Sequence, residues 1–302
     1  MQIIGIDIGG TKCAVSVLRA GVVREMARFA TRDFATTFRR LQQEVQTLAP
    51  GPDVVFGISC GGPLDAKRGL ILCPPNLPGW VDIAICPAFT EVFGGRAFLM
   101  NDANASALAE WHFGAGRGCQ HMVFLTAGTG MGAGLILNGR LYEGATGDAG
   151  EVGHLRLRPD GPLGFGKYGS FEGFCSGGGI ARLAVELGWK QPGATLKDIA
   201  AAAAAGDALA LRVMDVAGER LGEALAVLID TLNPERIILG GFFPRCGELL
   251  RPAMNRALAA ESLPGPLAAC RILPAVLGET IGSNAAIAVA LHGLDTLPAK
   301  AN

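Results

Sequence analysis

The chain has 302 residues, half of them apolar and 18% charged, with a formal net charge of −1. At one domain per ~150 residues this length predicts two lobes, and the composition excludes a disordered chain, a generic nucleic-acid binder and a polybasic membrane anchor. There is no basic-then-apolar leader and no apolar run near the ~20 residues of a membrane span, so a cytoplasmic protein with no membrane partner is expected. Eight cysteines without CxxC spacing predict reduced, mostly buried thiols in place of a zinc ribbon or redox motif.

Residues 2–18 read as two strands joined at Gly9-Gly10-Thr11-Lys12. Asp7 closes the first strand and suits a hydrated Mg2+. The Gly-Gly-Thr turn offers N–H groups and a hydroxyl to phosphate oxygens, although the same spelling serves an ordinary hairpin. Residues 22–31 extend the meander, and 36–48 carry a helical period (Phe38, Leu41, Val45, Leu48). A buried strand at 54–59 leads to Cys60-Gly61-Gly62-Pro63 and then a stiff loop, 74–80. Asn76 in that loop can hydrogen-bond a polyol or merely shape a turn.

The stretch 96–111 changes from a short apolar run, 97–100, to helix-forming residues, with Asn101 and Asp102 at the switch. In an open α/β sheet, ligands meet the chain at such a place, the carboxyl end of a strand beside a helix N-terminus. An Asp there can take a proton from a substrate hydroxyl; equally, Asn101 or Asp102 can serve as a plain helix cap.

After a glycine-rich joint, 114–118, a strand at 121–126 runs into a glycine-dense loop, 127–134, and a strand at 135–137. Strand, Gly/Thr turn, strand repeats the plan of residues 4–17, and two such turns suit the gripping of a nucleotide triphosphate. Two other patterns mislead. Gly128-x-Gly130-x-x-Ala133 runs into a strand where a dinucleotide fingerprint needs a helix, and Gly161-x-x-x-x-Gly166-Lys167 lacks the Ser/Thr and the preceding strand of a phosphate loop.

Glu151 and His154 lie in a flexible, glycine-rich stretch and are candidates for sugar hydroxyls, with a structural histidine as the alternative. A strand is expected at 155–159 and helices at 171–187, at 195–205 (solvent-facing) and at 208–232. A buried strand at 236–239 ends in Gly240-Gly241, a floor for an adenine base or simply a close strand–helix contact. A helix at 249–259, a strand at 270–274 and a small-residue helix at 282–291 complete the chain.

Asp7-x-Gly-Gly-Thr-Lys12, Pro75-Asn-Leu-Pro-Gly-Trp80, Asn101-Asp102-Ala-Asn-Ala105, Thr129-Gly-Met-Gly-Ala-Gly134, Gly150-Glu-Val-Gly-His154 and Leu239-Gly-Gly241 occur in this order. Together they resemble the ROK-family sugar kinases of the actin-like ATPase superfamily, from about residue 2 to 290. The resemblance implies an α/β, two-lobed actin-like ATPase (ribonuclease H-like) fold with mixed β-sheets and a central cleft. One lobe would be 1–117 joined by the C-terminal helix, about 290–302, and the other 118–289. It implies a hexose substrate, ATP and Mg2+ as cofactors, and a homodimer. Carried over, Asp102 is the general base, and Asn76, Asn101, Glu151, His154 and Glu172 contact the sugar. Asp7 faces the metal through water. Gly5, Gly9, Gly10, Thr11, Lys12, Thr129, Gly130, Met131, Gly132 and Gly134 belong to the phosphate-binding turns, and Gly240 and Gly241 to the adenosine site.

One departure stands out. Many such proteins hold a structural zinc with the motif's histidine and three cysteines; here Leu163, Phe165 and Ser170 take the cysteine places. Only His154 remains, so tetrahedral thiolate coordination is impossible and no structural zinc is expected. Leu163 and Phe165 are expected to pack that loop with apolar contacts. The activity implied is phosphorylation of a terminal hydroxyl, the 6-position of glucose or an N-acetylhexosamine. A sugar-binding regulator without kinase activity is the alternative, disfavoured by the start of the chain one residue before the first strand and by the near-zero charge.

Overall fold

The computed structural model describes residues 1–128 and 130–297. They form two compact units, Met1–Arg117 with Val276–Asn302, and Gly118–Ala275.

The first unit runs β1 (Ile3–Ile8), β2 (Lys12–Arg19), β3 (Val22–Ala30), α1 (Phe34–Thr47) and β4 (Val55–Cys60). It continues through β5 (Leu64–Asp65), β6 (Leu70–Ile71), β7 (Ile83–Ala84), α2 (Ile85–Phe93), β8 (Arg96–Asn101) and α3 (Asp102–Phe113). The main sheet has the order β3-β2-β1-β4-β8. It is antiparallel from β1 to β3 and parallel across β1, β4 and β8. β1 and β4 are buried along almost their whole length, which is why they read as continuous apolar runs. β3, at the edge, keeps Arg24, Glu25 and Arg28, charges that discourage edge-to-edge pairing. Phe34 and Phe38 of α1 and Phe89 of α2 pack with Phe56 and Trp80 at ring separations of 5.2 and 5.3 Å. The Trp80 indole N–H donates to Arg32 O at 3.2 Å. Burying a large apolar side chain of this kind stabilises by on the order of 2 kcal/mol and anchors the loop that carries Asn76.

The second unit contains β9 (Met122–Ala127), β10 (Met131–Leu137), β11 (Arg140–Leu141), a 3-10 turn (Val152–His154) and the hairpin β12 (Leu163–Gly164) and β13 (Lys167–Tyr168). Then come α4 (Phe171–Cys175), α5 (Gly177–Glu186), α6 (Leu196–Ala204), α7 (Ala208–Leu232), β14 (Arg236–Leu239), α8 (Phe243–Glu261), α9 (Pro264–Ala269) and β15 (Arg271–Pro274). Its sheet has the order β11-β10-β9-β14-β15, antiparallel from β9 to β11 and parallel across β9, β14 and β15. The two units therefore share one strand plan. α7 and α8 approach closely because Gly218 and Gly222 face the carbonyls of Leu250 and Met254; an added Cβ would lie 2.5 and 2.4 Å from those oxygens.

The chain then returns to the first unit at Val276, earlier than the residue 290 expected from sequence, because the whole of α10 (Ile281–Asp295) lies on the first sheet. An added Cβ on Gly57 would sit 2.0 Å from Ala286 O, and one on Gly5 would sit 2.5 Å from Ser16 Oγ and 3.0 Å from Ile287 N. Small residues on both sides let helix and sheet backbones touch. The part of the expected C-terminal helix at 298–302 lies outside the described residues.

Several local expectations change. The loop expected at 127–134 contracts, since β10 begins at Met131 and pairs back with Ala127. No strand forms at 155–159; only an isolated bridge links Arg156 to Ser170. α6 is not solvent-facing throughout, because Leu196, Ile199 and Ala203 are buried. α8 extends well beyond 249–259, and α2 escaped notice because Pro87 interrupts its pattern. Five of the eight thiols are buried, and Cys73 is exposed. None of the helices in the described residues is long and apolar enough to cross a membrane.

Candidate active site

In the first unit the parallel strands β1, β4 and β8 end together, with Ile8 opposite Cys60 and Cys60 opposite Asn101. Asp7 and Asp102 thus flank the end of β4 at one edge of the sheet. Asn101 is the helix cap: its Oδ1 accepts from Asn104 N at 2.8 Å. Asp102 is thereby released from capping and stands as the first residue of α3, solvent-accessible on one side. An added Cβ on Gly61 would meet only Asp102 Oδ2, at 3.9 Å, so the space beside the carboxyl is open. Protein around the remaining sides raises the Asp102 pKa above the ordinary value of 3.8, opposed by backbone N–H donation from Ala103 and from Asp102 itself.

The turn at Gly9 is closed by Gly9 N donating to Lys12 O at 3.0 Å, and Thr31 Oγ1 donates to Gly9 O at 2.6 Å. The Gly10 and Thr11 N–H groups find no acceptor among the described residues, which leaves two donors for anionic oxygens. A Cβ on Gly10 would lie 2.7 Å from Asn76 O, so the absence of a side chain lets this turn lie against the exposed Asn76 loop. Gly5, by contrast, is no part of the turn; it is buried in β1 under α10 and serves packing.

Asp7 has its pKa raised from 3.8 to about 6, first by burial, then by the Asp102 charge, against the opposing Arg28. Its carboxyl lies over Gly282, where an added Cβ would come within 2.2 Å of Oδ2. Asp7, its proton retained chiefly by burial and secondarily by the Asp102 charge, suits a hydrated Mg2+, because a divalent cation offsets both the desolvation and the repulsion. Between pH ~4 and ~6 Asp7 in the folded protein keeps a proton that the unfolded chain has released, so the contribution of Asp7 to stability falls as pH rises through that window, by on the order of 1–3 kcal/mol. Asp7→Asn is expected to flatten this dependence and raise the urea midpoint at neutral pH, while abolishing activation of turnover by Mg2+. A difference between the wild-type and Asp7→Asn midpoints that stays constant from pH 4 to 6 would contradict it.

In the second unit the turn between β9 and β10 holds Gly128 and Gly130; Thr129, expected to contact phosphate, lies outside the described residues. Gly128 O accepts from Gly177 N at 2.8 Å, and Glu172 Oε2 accepts from Met131 N at 3.0 Å. Glu172, expected on the sugar, therefore braces the turn with one oxygen. An added Cβ on Gly130 would lie 2.9 Å from that oxygen. Gly132 and Gly134 do not belong to a loop: they pair with Thr126 and Phe124 inside β10, and Gly134 is buried. Glu151 is exposed, His154 is half-buried in the 3-10 turn, and Gly153 lies between Met131 O and Glu172. At the end of β14, Gly240 packs on Phe124, whereas Gly241 has φ +65° and lies against Ala127 O, where an added Cβ would fall at 1.9 Å. Close packing of the end of β14 against β9 thus requires both glycines, and of the two only Gly241 is exposed.

Leu163 and Phe165 do not pack their loop. They are 38% and 76% exposed, because β12 and β13 are joined by a two-residue turn that points Phe165 outward. No group of three or more potential metal-ligating His, Cys, Asp or Glu side chains occurs among the described residues. Sequence reasoning also missed Glu110, a buried acid on α3; its signal was an acidic residue inside an alanine-rich, apolar helix face.

Comparison with known proteins adds to this geometry. A model of the ROK family matches residues 3–292. The sequence is 31% identical to a glucokinase of Thermotoga maritima, over 93% of this chain and 95% of that one. Among solved structures it resembles a ROK family glucokinase from Streptomyces griseus in complex with glucose and AMPPNP, at 30% identity and a TM-score of 0.76, covering 97% of this chain and 100% of that one. It is also 29% identical to the DNA-binding transcriptional dual regulator NagC of Escherichia coli, over 70% of this chain but 53% of that protein.

Proposed function

The chain belongs to the ROK family and is a carbohydrate kinase of the actin-like ATPase superfamily, and from that premise we propose that it transfers the γ-phosphate of ATP to a hexose hydroxyl, the 6-hydroxyl of glucose or of an N-acetylhexosamine. One observation carries the site assignment: Asp102 stands free of capping duty at a strand end, with open space at Gly61 and a pKa pushed upward. A carboxylate in that state is a stronger proton acceptor than an ordinary exposed one.

In the reaction, Asp102 accepts the proton of the hexose hydroxyl as its oxygen bonds to the γ-phosphorus. The bond from that phosphorus to the bridging oxygen breaks, ADP carries away the electron pair, and Asp102 later returns the proton to water. Asn76, Asn101, Glu151 and His154 orient the hexose. The N–H groups of Gly10 and Thr11 and the Gly130 turn receive phosphate oxygens, and Gly241 lets the backbone approach the adenosine. Asp7 would hold Mg2+ through water, and the ion would supply charge neutralisation on the phosphates when bound. Positioning and charge neutralisation dominate phosphoryl transfer, so one base and several donors suffice. On family resemblance alone the proposal extends to a cytoplasmic homodimer.

A coupled ADP-release screen over glucose, mannose, fructose, allose, N-acetylglucosamine and N-acetylmannosamine tests the reading. ADP release dependent on an aldohexose or N-acylhexosamine is expected, with sugar phosphate formed from polyphosphate measured in a parallel arm. The similarity to NagC favours a second reading, a sugar-responsive regulator. Specific, salt-sensitive DNA binding with no ADP release for any sugar would establish that reading and end the first.

A further inference from the structure

The hairpin of β12 and β13 departs from what its backbone favours. Leu163 pairs with Tyr168 and Gly164 with Lys167, leaving Phe165-Gly166 as a two-residue turn. Their φ values are +39° and +77°, the pattern of a type I′ turn, whose first position favours Asn, Asp or Gly. A bulky aromatic residue at positive φ is strained, and Phe165, 76% exposed, recovers little by burial. Local physics alone would place a small polar residue here.

What the ring does contact is His154, edge to face, with centroids 5.4 Å apart and an interplanar angle of 90°. The same hairpin holds the backbone of that histidine, since Lys167 Nζ donates to His154 O at 2.7 Å. The base of the hairpin is fastened to α4: Ser170 Oγ donates to Lys167 O at 3.2 Å and accepts from Gly173 N at 3.1 Å. An added Cβ on Gly164 would lie 2.4 Å from Gly173 N. Through Glu172 the same helix braces the Gly130 turn.

We propose that Phe165 is a positioning residue for the hexose: its ring, presented by a strained turn, fixes the imidazole of His154 in the orientation that receives a sugar hydroxyl. The inference rests on the assignment of His154 to the sugar. An aromatic edge contact favours this orientation of the imidazole, and Lys167 holds the backbone beneath it, so the hairpin engages the histidine at both ends.

The test is Phe165→Asn, with Phe165→Tyr, His154→Ala and the double variant. Phe165→Asn suits the turn and is expected to leave the melting temperature unchanged or raised, while KM for the accepted hexose rises about threefold to tenfold and KM for ATP stays constant. Phe165→Tyr is expected to restore the hexose KM. In the His154→Ala background, Phe165→Asn is expected to add nothing. Unaltered hexose KM in Phe165→Asn, with raised KM in His154→Ala, would overturn the inference and leave the histidine assignment standing. Unaltered KM in His154→Ala would remove both, and hexose-dependent ADP release would still report separately on kinase activity. A lowered melting temperature in Phe165→Asn, with both KM values raised together, would make the ring purely structural and also overturn the inference.

Discussion

Asp102→Asn is expected to lower hexose-dependent turnover by a factor of about 10² to 10⁴, with hexose KM moving only a few-fold. The substitution keeps volume and shape at the first residue of α3. The helix keeps its cap, because Asn101 makes that bond, so folding and sugar contact survive while the proton acceptor is lost. Wild-type kcat/KM is expected to fall on the acid side with a midpoint above the ordinary carboxylate value. The sign follows from the raised pKa of Asp102: below it the residue is protonated and cannot accept, so activity appears only as pH rises through it. Initial rates and a pH profile measure both. A variant that retains most of its turnover would remove Asp102 from the chemistry and return it to the role of a helix-terminal residue.

The second large effect is on stability. Glu110, fully buried on α3, is expected to cost about 3–5 kcal/mol when replaced by Ala, read as a fall in the urea midpoint. Its Oε1 accepts from Val276 N at 3.0 Å and Leu277 N at 3.1 Å, and its Oε2 accepts from Ala115 N at 2.8 Å. Its carbonyl also accepts from Gly114 N and Gly116 N. Within the first unit, one side chain therefore holds the chain both where it leaves, near Ala115, and where it returns, at Val276. Removal strands three backbone donors, each worth about 1–3 kcal/mol when left unsatisfied, and leaves a hole. Gly114 exists for the same contact, since an added Cβ would fall 2.0 Å from Oε2. Glu110→Gln is expected to cost less, because its oxygen still serves Val276 and Leu277 and only Ala115 faces an NH2 group. A midpoint for Glu110→Ala within experimental error of wild type would mean that the two segments are held by other contacts.

Long elements with a clear apolar period were legible before any coordinates. Residues 208–232 and 236–239 read as α7 and β14 with their observed ends, because periodic burial and the stop at Asn233 are local signals. The placing of Asp102 and Asp7 at strand ends was equally local. Glycine was the harder residue to read. Gly5, Gly132 and Gly134 were grouped with a ligand-binding turn, yet the first meets α10 and the other two lie in β10. The same residue type answers to helix packing, strand pairing and phosphate approach, and composition does not distinguish them.

From residue order alone came the α/β class, the paired Gly/Thr turns, the carboxylate at the start of α3 and the loss of the thiolate ligands around His154. These are decided by side-chain chemistry and by patterns a few residues long. Which of Asn101 and Asp102 caps the helix, where Glu172 places its oxygen, how far Asp7 is pushed from its ordinary pKa and what the Phe165 ring touches all depend on groups the fold brings together, as when Glu172 Oε2 accepts from Met131 N, 41 positions away. Burial, like-charge repulsion and backbone contact act through space, and no spacing along the chain encodes them.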